Sequence, residues 1–142
     1  MPMILKPITL TASATVNKQD HAETPINLSA AAGLTITLPA SSGSGASYEF
    51  FVVTTVTSNS YVIQVANATD IIQGAIGLTT DIAGTVLPTA STTDTITMNG
   101  STTGGVKGSR LKLTDVASGI WMLEGILVCT GTEATPFSAA VS

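Results

Sequence analysis

The sequence predicts an all-β fold with little or no helix: an antiparallel β-sandwich, a jelly roll or a β-barrel. Its composition favours strands and turns, because 38 of the 142 residues are Ser or Thr and 13 are Gly, whereas only 10% are charged. Short segments alternate apolar with hydroxyl side chains, which is the pattern of a strand with one buried face. Turn-forming residues separate these segments about every ten residues, and no segment keeps the helical period.

The N-terminal part of the chain shows the most regular alternation. Strands are predicted at residues 8–16, 25–29 and 34–38. The polar stretch 17–24 between the first two is predicted to be an exposed loop. We expect residues 1–23 to form an N-terminal strand or arm with this loop, and residues 24–142 to form a single β domain.

The middle of the chain predicts a β-hairpin. Residues 41–47 are rich in Gly and Ser, which indicates a flexible surface loop. Residues 48–56 follow, and they are apolar on both faces from 50 to 53, as in a central strand. After a turn, residues 61–66 are expected to pair with them.

The C-terminal part predicts a second hairpin, formed by residues 109–116 and 120–129, with a bend at Gly125. Before it, a shorter strand pair is expected at 71–74 and 76–78, and residues 79–104 are expected to be mostly loop around one weak strand at 95–98. All connections are too short for helical crossovers. Mostly antiparallel pairing is therefore predicted.

Charge and hydropathy exclude several classes of function. The net charge is −4 with only five Lys and Arg residues, so nucleic-acid binding is not expected. No apolar stretch approaches the roughly 20 residues of a membrane span, so no membrane partner is expected. Lys6 and Pro7 interrupt the apolar start of the chain, which argues against a signal peptide and for synthesis in a cytosol. The single Cys129 lies in an apolar run and is expected to be buried and unreactive.

Few residues could carry chemistry, and we expect no enzyme, catalytic residue, metal or cofactor. His21 is the one histidine, whereas a zinc site needs several His or Cys ligands. Glu49 and Glu124 could form a catalytic carboxylate pair in a β-sandwich enzyme, but we expect them to point outward or to pair with Arg110 or Lys112.

Two further features have structural explanations. Four of the five aspartates follow a threonine, at spacings that match no calcium loop, and Asx turns at strand ends explain them more simply. Trp121 is flanked by apolar residues, which favours a core or interface anchor, with a sugar-stacking site as the alternative.

The low charge also indicates an assembly. A soluble monomer carries about a quarter charged residues, largely to keep its surface hydrated. With 10% charged residues, this chain is expected to have much of its surface covered by other chains or kept wet by Thr and Ser hydroxyls.

Four segments carry a resemblance to a known family: residues 34–51, 61–74, 119–125 and 130–137. Together they resemble a pattern of small structural proteins of tailed bacteriophages, and the chain is similar to head decoration (capsid cement) proteins over about residues 30–137. The resemblance implies a virion protein on the capsid exterior that is assembled in the host cytoplasm. It also implies a homotrimer that binds the major capsid protein and stabilises the head. A phage fibre or receptor-binding β module is the alternative.

The apolar N-terminal segment is the candidate contact with the capsid. The side chains of Met3, Ile4, Leu5, Ile8 and Leu10 would bind the shell or a neighbouring chain by strand addition. The alternative is that this segment is the first strand of the chain's own sheet.

Overall fold

Two β-sheets pack face to face in the computed structural model, which describes residues 6–141. The strands are β1 (Ile8–Leu10), β2 (Ala14–Thr15), β3 (Pro25–Leu28), β4 (Leu34–Thr37), β5 (Ser47–Val52), β6 (Tyr61–Gln64), β7 (Ile71–Thr79), β8 (Gly84–Pro88), β9 (Thr95–Met98), β10 (Arg110–Ala117), β11 (Ile120–Val128) and β12 (Phe137–Ser138). The seven-stranded sheet has the order β1-β3-β5-β10-β11-β7-β8 and the five-stranded sheet the order β12-β9-β6-β4-β2. The predicted all-β, sandwich-like class is confirmed, and within these residues neither sheet closes into a barrel.

Both sheets are mixed, so the prediction of mostly antiparallel pairing is wrong. Five of the ten strand pairings between residues 6 and 141 are parallel. From β1 to β6 the chain alternates strand by strand between the two sheets, so β1 pairs with β3, β2 with β4, β3 with β5 and β4 with β6. Between two paired parallel strands of one sheet, the chain passes through one strand of the other sheet. A short connection can therefore produce parallel pairing without a helix.

Because of the same alternation, the hairpin predicted in the middle of the chain does not form. Strand β5 lies in the seven-stranded sheet and β6 in the five-stranded sheet, so residues 53–60 cross between the layers. Residues 8–16 are likewise two strands, one in each sheet, rather than one. Both strands therefore pair within the same two sheets as the strands of residues 24–142.

The C-terminal hairpin is confirmed. Strands β10 and β11 pair antiparallel, with Leu113 opposite Leu123. The strand pair expected at 71–74 and 76–78 is instead the single strand β7, whose antiparallel partner is β8. Gly125 has a φ of +151°, and a Cβ there would collide with the carbonyl oxygen of Arg110. Glycine is therefore required where β11 passes β10.

The core fills the space between the sheets. Alternate side chains of each strand point inward, and the largest fully buried residues include Trp121, Tyr48, Tyr61 and Phe50. The Trp121 and Tyr48 rings meet edge to face with their centroids 5.8 Å apart. Trp121 is thus an anchor of the core.

One short helix, α1 (Lys18–His21), lies in the part of the chain that the structure describes, within the stretch 17–24 that was expected to be a loop. Asn17 caps it, because its side-chain oxygen accepts a hydrogen bond from the Asp20 N–H at 2.8 Å. The Asn17 N–H in turn donates to His21 Nδ1 at 3.0 Å. Between residues 6 and 141 there is no helix with the length and apolar character needed to cross a bilayer.

Candidate interaction surfaces

The strands of the five-stranded sheet present uncharged side chains on its outer face. None of its five strands contains an ionisable acidic or basic residue. In register across the sheet, Thr35 lies opposite Val62 and Val62 opposite Thr97. A second row places Thr37 beside Gln64, whose side-chain amide donates to the Thr37 hydroxyl at 3.5 Å. We call this surface, formed by Thr15, Thr35, Thr37, Val62, Gln64 and Thr97, the hydroxyl face.

The outer face of the seven-stranded sheet is different, because it carries a row of alternating charges. Glu49, Lys112 and Glu124 lie side by side on β5, β10 and β11. Lys112 Nζ is 3.7 Å from Glu124 Oε1, and both side chains are exposed. The prediction that these carboxylates point outward, with a basic partner for Glu124, is confirmed. Such an exposed pair contributes little stability, about 0–1 kcal/mol.

A shallow depression of about 350 Å³ lies beside this row, at Gly125, where glycine has no side chain to fill the space. Lys112 and Arg110 line it together with Glu49 and Glu124, so each carboxylate has a cation nearby. Both carboxylates are exposed to solvent. Among residues 6–141, no cluster of three or more His, Cys, Asp or Glu is placed to hold a metal ion.

The large exposed apolar side chains of residues 6–141 lie on the seven-stranded sheet and its loops. The six large ones in the described chain are Val53, Ile82, Val86, Val116, Met122 and Ile126. Ile126 on β11 lies beside Gly77 on β7, and Gly77 lies opposite Val86 on β8. This apolar strip of Ile126, Gly77 and Val86 runs out to the β8 edge of the sheet.

A buried carboxylate organises the loop at residues 41–47. Asp115, which is 3% exposed, accepts hydrogen bonds from the Gly43 N–H and the Ser44 hydroxyl, each at 2.8 Å. The N–H groups of Ser42 and Ser44 also donate to it, at 3.1 and 3.2 Å. Gly43 and Gly45 have φ of +78°, a left-handed conformation that helps successive N–H groups converge on one anion. The loop was expected to be flexible, but these bonds fix it to β10.

Two other aspartates also bind distant segments rather than forming only the expected Asx turns. Asp70 accepts a hydrogen bond from the Ser41 N–H at 2.9 Å. Asp94 accepts one from the Ala140 N–H at 2.8 Å and so holds the C-terminal segment against the five-stranded sheet. Both carboxylates are buried. Asp81, in contrast, is exposed in the turn between β7 and β8.

The stability that Asp115 provides is expected to depend on pH. Burial alone would raise the pKa of Asp115, but hydrogen bonds from the Gly43 N–H, the Ser44 hydroxyl and the Ser42 N–H outweigh it, so the pKa lies below its ordinary value. A depressed carboxyl pKa stabilises the fold above the pKa of the unfolded chain, about 3.9, and this stabilisation is lost as the pH falls through the folded pKa.

We therefore expect the difference in unfolding free energy between the wild type and Asp115→Asn to be constant near neutrality and to shrink below about pH 4. Urea titrations across the acidic range measure it. A difference that stays constant down to acid unfolding would contradict the assigned role of the carboxylate.

The structure places only part of the predicted N-terminal contact. Ile8 and Leu10 lie half-buried in β1, paired in parallel with Ile26 and Leu28 of β3. These two residues form the first strand of the chain's own sheet, and their contact with the shell or a neighbouring chain stays a prediction. Met3, Ile4 and Leu5 lie outside the described residues, so their predicted contact stays a prediction.

Two other candidate residues, Cys129 and His21, are buried or half-buried. Cys129 is 3% exposed, and burial raises the pKa of its thiol, which opposes formation of a reactive thiolate. His21, expected to be an exposed loop residue, is half-buried at the end of α1, where Nδ1 serves as a hydrogen-bond acceptor.

Aromatic side chains offer no stacking surface. All six lie between residues 6 and 141, and none is exposed: Tyr48, Phe50, Tyr61 and Trp121 are buried, and Phe51 and Phe137 are half-buried. Trp121 therefore does not present its ring to a sugar.

Comparison with protein-family models, with curated proteins and with solved structures found no match. The sequence patterns did not reveal the Asp115 site or the β8 edge. For the Asp115 site, the available signal was the Gly- and Ser-rich loop at 41–47, which does not reveal its binding partner. For the β8 edge, the available signal was the Thr-Val-Leu-Pro segment at 85–88.

Proposed function

We propose that this chain is a structural virion protein of a tailed bacteriophage, a capsid decoration protein that binds the outer surface of the head as a homotrimer and stabilises it. The observation that carries the proposal is the uncharged hydroxyl face of the five-stranded sheet. This face is the surface that would lie on the major capsid protein. Its chemistry suits contact with another protein.

Burying the hydroxyl face costs little free energy. No ionised group has to leave water, whereas each buried charge would cost several kcal/mol. Thr and Val side chains have few rotamers to lose on association, unlike the long Lys, Arg and Glu side chains that cover most soluble domains. Hydroxyls can bond directly or through interfacial water to polar groups of the shell. These properties favour a permanently covered surface.

Rigidity also supports a structural role. The carboxylates of Asp70, Asp94 and Asp115 fix loops and the C-terminal segment to the sheets. The depression beside the charged row is open and shallow. A protein that reinforces the joints between capsomers must resist deformation and requires no chemistry.

A trimer adds affinity by multivalency. If each subunit contacts a different capsomer, the second and third contacts form at a high effective concentration, so weak individual contacts combine into stable binding. This arrangement also braces the joint between capsomers.

The test uses shells assembled from the major capsid protein of the phage that encodes this chain. Two variants of the chain, Thr35→Lys and Thr97→Lys, place a charge on the hydroxyl face. Co-sedimentation with shells is expected to show saturable binding of the wild type and at least about a tenfold loss of affinity in each variant, because a lysine ammonium must be desolvated. Val116→Lys is the matched control, since Val116 is exposed on the opposite sheet. Circular dichroism verifies folding.

Wild-type protein that does not bind the shells would contradict the proposed function. Binding that Val116→Lys weakens, and that Thr35→Lys and Thr97→Lys leave unchanged, would contradict the assignment of the hydroxyl face.

A further inference from the structure

Strand β8 forms one edge of the seven-stranded sheet, and its hydrogen bonds to β7 decide which backbone groups face outward. The Thr89 N–H donates to the Gly74 carbonyl at 2.8 Å, directly after the strand ends. The N–H and C=O of one residue point to the same side, and successive residues alternate. Odd-numbered residues of β8 therefore bond to β7, and even-numbered residues face the free edge.

The free edge presents a short set of groups. Gly84 and Val86 each offer an N–H and a carbonyl, and Pro88 offers a carbonyl alone. A proline in a sheet normally lies at an edge with its missing donor toward solvent, and Pro88 occupies that position.

Other protection of this edge is weak. Residues 82–93 contain no charged side chain. Val86 is 69% exposed, and Ile82, in the preceding turn, is 99% exposed. Edge strands are commonly protected by lysines, bulges or covering loops, because an unpaired edge recruits other strands. The edge is therefore available for pairing.

We propose that β8 pairs antiparallel with β8 of a second copy of this chain, around a two-fold axis at Val86. In this register the Val86 N–H of each copy donates to the Val86 carbonyl of the other. The Gly84 N–H of each copy donates to the Pro88 carbonyl of the other. All outward N–H groups of both edges are used, and only the Gly84 carbonyls remain for water.

The side chains also favour a second copy. Antiparallel pairing places the two Val86 residues on the same face, with their Cα atoms about 5.5 Å apart. The apolar strip of Ile126, Gly77 and Val86 then continues across the axis into the same strip of the other copy. No like charges from residues 82–93 meet at this seam.

The contact is small. A pairing of two five-residue strands buries less than the roughly 1,200 Å² of a stable interface, so association is weak and depends on concentration. It does not rest on the proposed capsid function. On a crowded surface it would join copies that belong to different trimers.

Sedimentation velocity over a range of concentrations tests the pairing. We expect the wild type to associate reversibly beyond its smallest stable species, and Val86→Lys to weaken this association at least about tenfold, because two ammonium groups would face each other across the axis. Val116→Lys, which adds the same charge on β10, is expected to associate like the wild type. An equimolar mixture of V86K and V86E is expected to restore association.

Position is tested by cross-linking. In a pair of Val86→Cys chains the two introduced sulfurs would lie within disulfide range, whereas those of Val116→Cys would not, and the native Cys129 is buried. Under mild oxidation V86C is expected to form a covalent dimer at least about tenfold faster than V116C. A wild type without concentration-dependent association, or V86C that cross-links no faster than V116C, would overturn the proposal.

Discussion

Replacing Asp115 with Ala is expected to lower the free energy of unfolding by about 3–5 kcal/mol, because the substitution leaves three N–H groups of residues 42–44 without their acceptor. A hydrogen bond to a charged group contributes about 1.5–3 kcal/mol, and the loop can recover part of the loss by turning some donors to water. The loop at 41–47 is therefore also expected to exchange its amide protons faster.

The control for this substitution is Asp81→Ala. Asp81 is exposed, so its removal is expected to change stability by less than about 0.5 kcal/mol. Urea unfolding of both variants measures the difference. Equal stability of the two variants would show that the Asp115 hydrogen bonds do not hold the loop.

Replacing Gly125 with Ala is expected to cost about 3–5 kcal/mol, since two penalties combine at this position. The φ of +151° is unfavourable for any residue with a Cβ. The new methyl group would also overlap the Arg110 carbonyl and lie 2.7 Å from Leu111 Cα, which forces β10 and β11 apart. The hairpin between these strands lies at the centre of the seven-stranded sheet, so separation would spread through it.

Two other glycines separate these penalties. Gly45 has a φ of +78° with nothing within 4 Å of the added Cβ, so Gly45→Ala measures the backbone cost alone, expected to be about 1 kcal/mol. Gly77 is not at positive φ, and its added Cβ would make an ordinary contact at 3.6 Å with Ile126, so Gly77→Ala is expected to be close to neutral. If Gly125→Ala costs no more than Gly45→Ala, the collision with β10 does not occur.

Local patterns located most strands because burial of one face is a local property. The alternation at 34–38 and at 109–116 predicted β4 and β10 within one or two residues. Which sheet a strand joins is decided by distant partners. Residues 48–56 and 61–66 have the spacing of a hairpin, yet β5 pairs with β3 and β10, and β6 pairs with β4 and β9.

The polar interactions were harder to predict for the same reason. Asp115 and the loop that it binds are about 70 residues apart, so neither segment contains a signal for the other. The outward direction of Glu49 and Glu124 could be predicted, because the alternation places them on the face opposite the core. The β8 edge was missed because four residues of Thr, Val, Leu and Pro in a Thr-rich region are typical of a loop as well as of an edge strand.

Cryo-electron microscopy of shells saturated with this chain tests the proposed function most directly. The expected map shows trimers on the outer surface at local three-fold positions, with the hydroxyl face against the major capsid protein and the row of Glu49, Lys112 and Glu124 toward solvent. Bare shells, or density in which the charged row meets the shell and the hydroxyl face is open to solvent, would contradict it.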